Sequence, residues 1–219
     1  MTGVALVLSN TIRLPKELAK PKHKSMKGWH ISQFIEKRSL PWALMGLFIG
    51  FTYSGVLVFI PIELNSIGAG VWGSVFFALF ALMIIISRPL VGKIYARYGS
   101  RFVIYPGIIL FIMGLAILGI ADTPVGIIGT APLLGLGYGA AQPAFQALAV
   151  QSAPIERAGV STATYFLALD IAVGAGSIIL AMIANALGYQ YLYQITALIM
   201  VVALGLYHFI IKGYSNFEV

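Results

Sequence analysis

One acidic residue deep within a long apolar stretch is the first candidate for chemistry. Asp170 is the only Asp, Glu, Lys or Arg between Arg157 and Lys212. A helix that begins at Ala158 places this carboxyl group about 18 Å along its axis, at about 1.5 Å per residue. That depth is close to the middle of a hydrocarbon layer about 30 Å thick. Because hydrocarbon favours the neutral acid, the sequence predicts a side chain that gives up its proton only when water or a partner reaches it.

Asp170 is therefore the proton-coupling candidate. The alternative is a protonated side chain that fixes helix contacts through a bond to Gln142, Tyr165 or a backbone carbonyl. An Asn or a Ser makes such a structural bond at less cost, which favours the coupling role.

A second set of polar residues recurs on one face of the preceding apolar run. Tyr138, Gln142 and Gln146 are spaced by four residues, so they lie on one side of a helix. Polar groups in hydrocarbon cost about 2 to 4 kcal/mol unless they face a cavity or a partner. These three residues, with Tyr53 and Tyr165 on other runs, are predicted to line a substrate cavity. For the first three, interhelical hydrogen bonding is the equally weighted alternative; Tyr53 and Tyr165 are weaker candidates, because a tyrosine often only anchors packing.

The composition is that of a membrane protein with several spans. Of its 219 residues, 59% are hydrophobic and only 10% are charged, whereas soluble domains contain about 25% charged residues. The net charge is +7, and the basic residues lie beside apolar runs rather than on one face. The expected surroundings are therefore a lipid bilayer and not nucleic acid. The chain has no cysteine, which excludes disulfides and thiolate metal sites. No metal and no cofactor is expected.

The apolar runs predict an all-α membrane domain with six transmembrane helices. The predicted spans are 40–62, 70–91, 102–121, 123–155 and two further helices within 158–211, separated by a turn at 185–189. The domain organisation follows: a basic linker-like segment at 1–39, the transmembrane domain at 40–212 and a tail at 213–219. The segment between the second and third spans is predicted to be a short basic loop.

The basic residues predict the orientation of the domain. An even number of spans places both termini on one side, and all 14 Lys and Arg residues fall on that side. By the positive-inside rule this side is the cytoplasm, so both termini of a multi-pass cell-membrane protein are predicted to be cytoplasmic. Glu63 and Asp122 fall on the opposite side and are predicted to be solvated loop or interface residues.

The basic segment 92–101 carries the most specific motif. It reads Gly-Lys-Ile-Tyr-Ala-Arg-Tyr-Gly-Ser-Arg and resembles the cytoplasmic-loop motif G-x-L-x-D-R-x-G-R-R of the major facilitator superfamily. The motif departs from the family at Ala96, where the family usually has Asp. Three further patterns resemble the second half of bacterial efflux members: Ser87-Arg88-Pro89, the G-x-G-x-G run at 135–139 with Pro143, and Asp170-x-x-x-Gly174-x-Gly176.

The resemblance implies a cytoplasmic gate at this motif. The gate candidates are Arg88, Gly92, Arg97, Gly99 and Arg101. We expect Gly92 to allow close approach of a neighbouring helix and Gly99 to turn at positive φ. Arg97 and Arg101 can bind the carbonyl end of a facing helix or anionic headgroups. The alternative is anchoring of the loop at the membrane surface.

The resemblance also implies a fold and partners. The family has two six-helix halves, each built from two inverted three-helix repeats, with the substrate bound between the halves. This chain resembles the C-terminal half. Segment 1–39 matches the linker between the halves, and Val4 to Leu8 matches the end of a preceding helix. The expected partner is a separate N-terminal six-helix half or a second copy of the chain.

Three classes of function follow from these patterns. The favoured one is a bacterial secondary transporter that exports small organic molecules and is driven by protons. The second is a non-transporting membrane fragment or an interaction subunit that needs a separate N-terminal half. An intramembrane enzyme is disfavoured because the sequence has neither H-E-x-x-H nor G-x-S-x-G and only one deep carboxyl group. The glycines at 135–139 fit a dinucleotide fingerprint, but no strand pattern surrounds them.

Overall fold

Six long apolar helices make up the part of the chain that the structure describes. They are α1 (Lys37–Ser66), α2 (Val71–Tyr98), α3 (Arg101–Leu118), α4 (Pro124–Gln151), α5 (Ala158–Leu187) and α6 (Tyr189–Ser215). Each is long and apolar enough to cross a membrane. Residues 35–215 contain no strand. The predicted all-α fold with six transmembrane helices is confirmed.

The structure describes part of the chain. The structure is a computed structural model that describes the backbone of residues 35–215 and the side chains of residues 35–212. All of them belong to one unit, Ser32–Val219. Most of the predicted linker at 1–39, including Val4 to Leu8, lies outside the described residues, as does the end of the predicted tail.

The basic segment after the second span is helical rather than a loop. Helix α2 continues through the motif to Tyr98, so the prediction of a loop is corrected. Pro89 lies inside this helix, where it removes one backbone hydrogen bond but does not end the helix. A helix of 28 residues is about 42 Å long, which is more than the hydrocarbon thickness of about 30 Å. The last turns of α2 therefore extend beyond the apolar layer.

Two tight turns have glycine at the positions where the sequence predicts them. Gly99 has φ of 88° and separates α2 from α3, and Gly188 has φ of 93° and separates α5 from α6. Residues with a side chain avoid this conformation because the Cβ atom crowds the backbone. The expected positive φ of Gly99 and the expected turn at 185–189 are both confirmed.

The bundle is built from two similar three-helix units, α1 to α3 and α4 to α6. Helix α1 packs on α5 and α6, and helix α4 packs in the same way on α2 and α3. The two first helices also contact each other, as do the two third helices, α3 and α6. The first helix of each unit therefore packs mainly on the second and third helices of the other unit. This reciprocal arrangement is consistent with the two repeats of half a major facilitator fold.

Glycines of α4 allow close contacts with the backbones of α2 and α3. On α4, a Cβ atom at Gly135 would lie 2.6 Å from the carbonyl oxygen of Phe80 on α2. A Cβ atom at Gly137 would lie 2.6 Å from the backbone nitrogen of Phe111 on α3. The G-x-G-x-G run is therefore a packing element that fits α4 between its two neighbours, and not a phosphate-binding loop.

The contact of α1 with α5 has the same chemistry. A Cβ atom at Gly50 would lie 2.7 Å from the carbonyl oxygen of Leu169, and one at Gly176 would lie 2.6 Å from the hydroxyl of Ser54. Gly174, two residues earlier on α5, is exposed, and a Cβ atom there would meet nothing within 4 Å. Gly176 therefore faces the core of the bundle, whereas Gly174 faces outward.

Candidate functional site

An aromatic stack lies where four helices meet. The rings of Tyr53 on α1 and Tyr138 on α4 are 4.2 Å apart and inclined by 22°. Phe80 of α2 lies 6.1 Å from each of them, and Phe111 of α3 lies 6.2 Å from Tyr138. Both tyrosines are half-buried. The structure thus brings two of the predicted cavity residues into direct contact.

The backbone of α1 changes its winding next to this stack. Residues Gly55–Phe59 form one π-helical turn, which follows directly after Tyr53 and Ser54. Such turns are rare and often occur at functional sites because they rotate the side chains that flank them. This local irregularity is not visible in the hydrophobic pattern of the sequence.

Tyr165 is buried and not at an open surface. It is fully buried, and its hydroxyl donates a hydrogen bond of 3.0 Å to the backbone carbonyl of Gln142. Its ring packs against Gly46, where a Cβ atom would lie 2.8 Å from the ring. This hydrogen bond joins α5 to α4. A role in contacting substrate stays a prediction.

Gln142 and Gln146 lie on α4 one and two turns after Tyr138. Both are half-buried, as is Pro143 between them, which lies inside the helix. Pro143 has no amide hydrogen, so the carbonyl oxygen of Gly139 lacks its usual donor along the helix. Tyr138, Gln142 and Gln146 therefore share one face of α4; that they line a substrate cavity stays a prediction.

Asp170 lies on the outside of the bundle, beside Tyr138. It is the thirteenth residue of α5, as predicted from a helix that begins at Ala158. Its side chain is exposed and interacts electrostatically with the Tyr138 hydroxyl. Within residues 35–212 it has no ion-pair partner. Within the described residues its carboxyl group makes no hydrogen bond to Gln142 or Tyr165, and the Tyr165 hydroxyl donates instead to the backbone carbonyl of Gln142.

The gate candidates lie at the basic end of α2 and in the turn to α3. Arg88, Gly92, Arg97 and Arg101 are all exposed. The guanidinium group of Arg97 lies 5.3 Å from the ring centre of Tyr98. A Cβ atom at Gly92 would meet nothing within 4 Å, so the expected close approach of a neighbouring helix is not present within the described bundle. The gate itself stays a prediction.

A buried polar cluster at the same end was not predicted from the sequence. Glu36 is 5% exposed and pairs with Arg157 at 2.8 Å, while its backbone N–H donates to the Thr164 hydroxyl at 3.0 Å. Ser39 donates to the carbonyl oxygen of Ala149 at 3.0 Å. These contacts fasten the start of α1 to the turn between α4 and α5. The available signal was that Glu36 is one of only two acids among the first 40 residues.

The opposite end of the bundle is acidic, and Glu63 is not in a loop. Glu63 lies in the last turn of α1 and is only 8% exposed, so the prediction of a solvated residue is corrected. Asp122 is exposed, as predicted, and accepts a hydrogen bond from the side-chain amide of Gln190. The physical reason for the correction is that α1 runs to Ser66, four residues beyond the predicted end of the span.

Comparison with known proteins supplies the family. Residues 1–177 match the model of the Major Facilitator Superfamily. A search of curated proteins gives no significant match. The family match includes the aromatic stack, the basic motif and Asp170, and it covers well over half of the chain. The chain belongs to the major facilitator superfamily of membrane transporters.

Proposed function

We propose that the protein is a half-unit of a secondary transporter that exports small organic molecules in exchange for protons. Members of its family are transporters rather than enzymes. The observation that supports the finer proposal is the position of Asp170, an acid near the middle of α5 that lies on the bundle surface and interacts electrostatically with the Tyr138 hydroxyl. A carboxyl group in such a place can bind a proton and release it when its surroundings change.

The surface around Asp170 supports a second six-helix bundle as the partner. Of the apolar window of α5 only 22% is buried, and of that of α2 only 17%, compared with 61% for α1. Asp170 and Gly174 lie on the uncovered face of α5. An acid that faces lipid is costly, so this face suits a partner bundle with an aqueous cavity between the two. The partner is a separate N-terminal half or a second copy of this chain.

The aromatic stack supports an organic substrate. Tyr53 and Tyr138 are half-buried, pack on the buried ring of Phe80 and offer ring surface with two hydroxyl groups. The only acid of the described α5, Asp170, interacts electrostatically with the Tyr138 hydroxyl. Aromatic or amphipathic molecules bind to such surfaces, and a positive charge on the molecule pairs with the carboxylate. Substrate and proton can then compete for Asp170, which gives exchange of one for the other.

The surroundings of the protein follow from the same proposal. The described helices make it a multi-pass membrane protein. We place it in the cell membrane of a bacterium with both termini in the cytoplasm, because the basic residues lie at one end of the bundle. The alternative function is a non-transporting subunit, for which Asp170 has only a structural role.

Transport in proteoliposomes tests the proposal. The full chain is reconstituted alone and with a candidate N-terminal half, with ethidium as the probe and pyranine inside the vesicles to report protons. We expect saturable ethidium movement coupled to proton movement, and at least tenfold less of it for Asp170→Asn. Glu156→Gln, which changes an exposed acid at the basic end, is the matched control.

Two outcomes contradict the proposal. Persistence of proton-driven flux in Asp170→Asn with unchanged pH dependence shows that Asp170 is structural. Saturable transport by a demonstrably monomeric preparation shows that the chain is not a half-unit, since alternating access moves one bundle against another. Lack of flux in every assembly favours the non-transporting subunit.

A further inference from the structure

A small cavity opens at the end of the bundle that is opposite to the basic motif. Its volume is about 290 Å³, and it is lined by residues from the end of α1, the turn before α4, and the turn between α5 and α6. We call it the acidic pocket. Its polar lining residues are Glu63, Asp122, Tyr189 and Gln190, and its apolar walls include Ile127 and Leu187.

Glu63 is an unsatisfied buried group in this pocket. The residue is 8% exposed, and its Oε2 atom has no hydrogen-bond partner among the described residues. The hydroxyl of Tyr193 on α6 faces the carboxylate as a hydrogen-bonding group, but the geometry leaves the Oε2 atom unpaired among the described residues. Buried carboxylates are normally paired because the loss of their hydration is costly. The unpaired Oε2 atom of Glu63 points to a ligand.

The charges around Glu63 define the chemistry of that ligand. Asp122 adds a second negative charge, which interacts repulsively with Glu63, and it is held by the side-chain amide of Gln190. The described Lys and Arg residues all lie at the other end of the bundle. They are Lys37, Arg38, Arg88, Lys93, Arg97, Arg101, Arg157 and Lys212. No positive side chain of the described chain therefore neutralises the pocket, and a cation is the complementary ligand.

We propose that the acidic pocket binds a small organic cation. The ammonium group lies between Glu63 and Asp122, and the apolar part packs on Ile127 and Leu187. The ring of Tyr189 offers a face that attracts a cation. A multidentate metal ion fits less well, because no group of three His, Cys, Asp or Glu residues converges in the described part of the chain. The site is separate from Asp170, and its occupancy does not require transport.

Choline is the probe for this site, and 3,3-dimethylbutanol is its uncharged isostere. Equilibrium dialysis of the purified full chain against radiolabelled choline gives the affinity at constant ionic strength. We expect saturable binding of choline, no competition by the isostere, and at least tenfold weaker binding for Glu63→Gln. Asp122→Asn is expected to weaken binding less, because Asp122 is exposed and screened by water. Circular dichroism of each variant checks that the fold is retained.

The controls separate this site from the transport site and from inorganic ions. Glu156→Gln is expected to keep the affinity of the unmodified chain. Asp170→Asn is expected to keep choline binding and lose proton-driven flux, so failure of one proposal is distinguishable from failure of the other. Equal binding of choline and its isostere, or full affinity in a folded Glu63→Gln variant, overturns the proposal. Displacement of choline by Na⁺ but not by K⁺ at equal ionic strength also overturns it, in favour of an inorganic cation.

Discussion

Glu36 and Arg157 form an ion pair of 2.8 Å that joins the start of α1 to the turn before α5. The carboxylate is buried, whereas the guanidinium group is about 39% exposed. Removal of the arginine therefore leaves a buried negative charge, whereas removal of the charge on Glu36 leaves an arginine that water can reach. We expect Arg157→Met to lower the free energy of unfolding by about 1 to 3 kcal/mol and Glu36→Gln to lower it by less.

Thermal unfolding in detergent, followed by circular dichroism, measures this asymmetry. Lys93→Gln is the control, since it removes an exposed positive charge at the same end of the bundle. Equal effects of the two substitutions on the unfolding temperature contradict the stated cause.

The close contact of α4 with α3 predicts that one added methyl group destabilises the protein. Gly137→Ala places a Cβ atom against the backbone of Phe111 and Gly107, at 2.6 and 2.7 Å. Because backbone atoms cannot move aside, we expect the substitution to destabilise the protein by about 1 to 3 kcal/mol. Gly129→Ala lies on the same helix in open space and is expected to be neutral or stabilising. A neutral Gly137→Ala contradicts the packing role.

Substitutions in the gate motif are expected to change the conformational balance of the protein rather than its stability. Arg97 and Arg101 are exposed, so replacing either with Ala is expected to leave the unfolding temperature nearly unchanged. In a transport-competent assembly we expect the balance of inward-open and outward-open states to shift, as measured by the accessibility of cysteines placed at each end. Lys93→Ala is the matched control on α2. Unchanged flux and accessibility in both arginine variants leaves only anchoring at the membrane surface.

The orientation is testable because the natural chain has no cysteine. Ser66 and Thr123 lie at the end of the bundle opposite to the basic motif, and Ser100 lies in the basic turn. We expect cysteines at the first two positions to react with an impermeant thiol reagent added to intact cells, and a cysteine at Ser100 not to react. The reverse pattern contradicts a cytoplasmic position of the termini.

The apolar runs are long enough to predict the number of helices and the turn at Gly188, because a membrane span needs about 20 apolar residues. They do not predict where α1 and α2 end. Helix α1 includes Glu63, and helix α2 includes Arg97, because a helix continues past the apolar layer wherever its residues permit it. A charged residue therefore marks the edge of the apolar run and not the end of the helix.

The sequence predicts which residues of α4 share a face, but it does not predict their partners. The spacing of four places Tyr138 and Gln142 together, yet the stack with Tyr53 depends on how α1 packs against α4. In the same way, the ion pair of Glu36 joins residues that are far apart in the chain. Contacts of this kind follow from tertiary packing, and no local pattern encodes them.

The two stacked tyrosines provide a matched pair of variants for proton coupling. The rings of Tyr53 and Tyr138 are 4.2 Å apart, and of the two hydroxyls it is that of Tyr138 that interacts with Asp170. Phe at either position keeps the ring and removes the hydroxyl. Tyr138→Phe therefore tests the neighbour of the acid, and Tyr53→Phe tests the loss of a hydroxyl from the same stack.

The Tyr138 hydroxyl interacts electrostatically with Asp170, so its removal changes the surroundings in which the acid binds and releases a proton. We expect Tyr138→Phe to shift the pH midpoint of proton-driven flux, and Tyr53→Phe to keep the midpoint even if it changes the rate. The measurement is the initial rate of ethidium movement in proteoliposomes over a series of pH values at a fixed pH gradient. An equal displacement of the midpoint in both variants assigns the effect to the stack as a whole. No displacement in Tyr138→Phe, in a protein that still transports, separates Tyr138 from the proton site and leaves Asp170 to act without it.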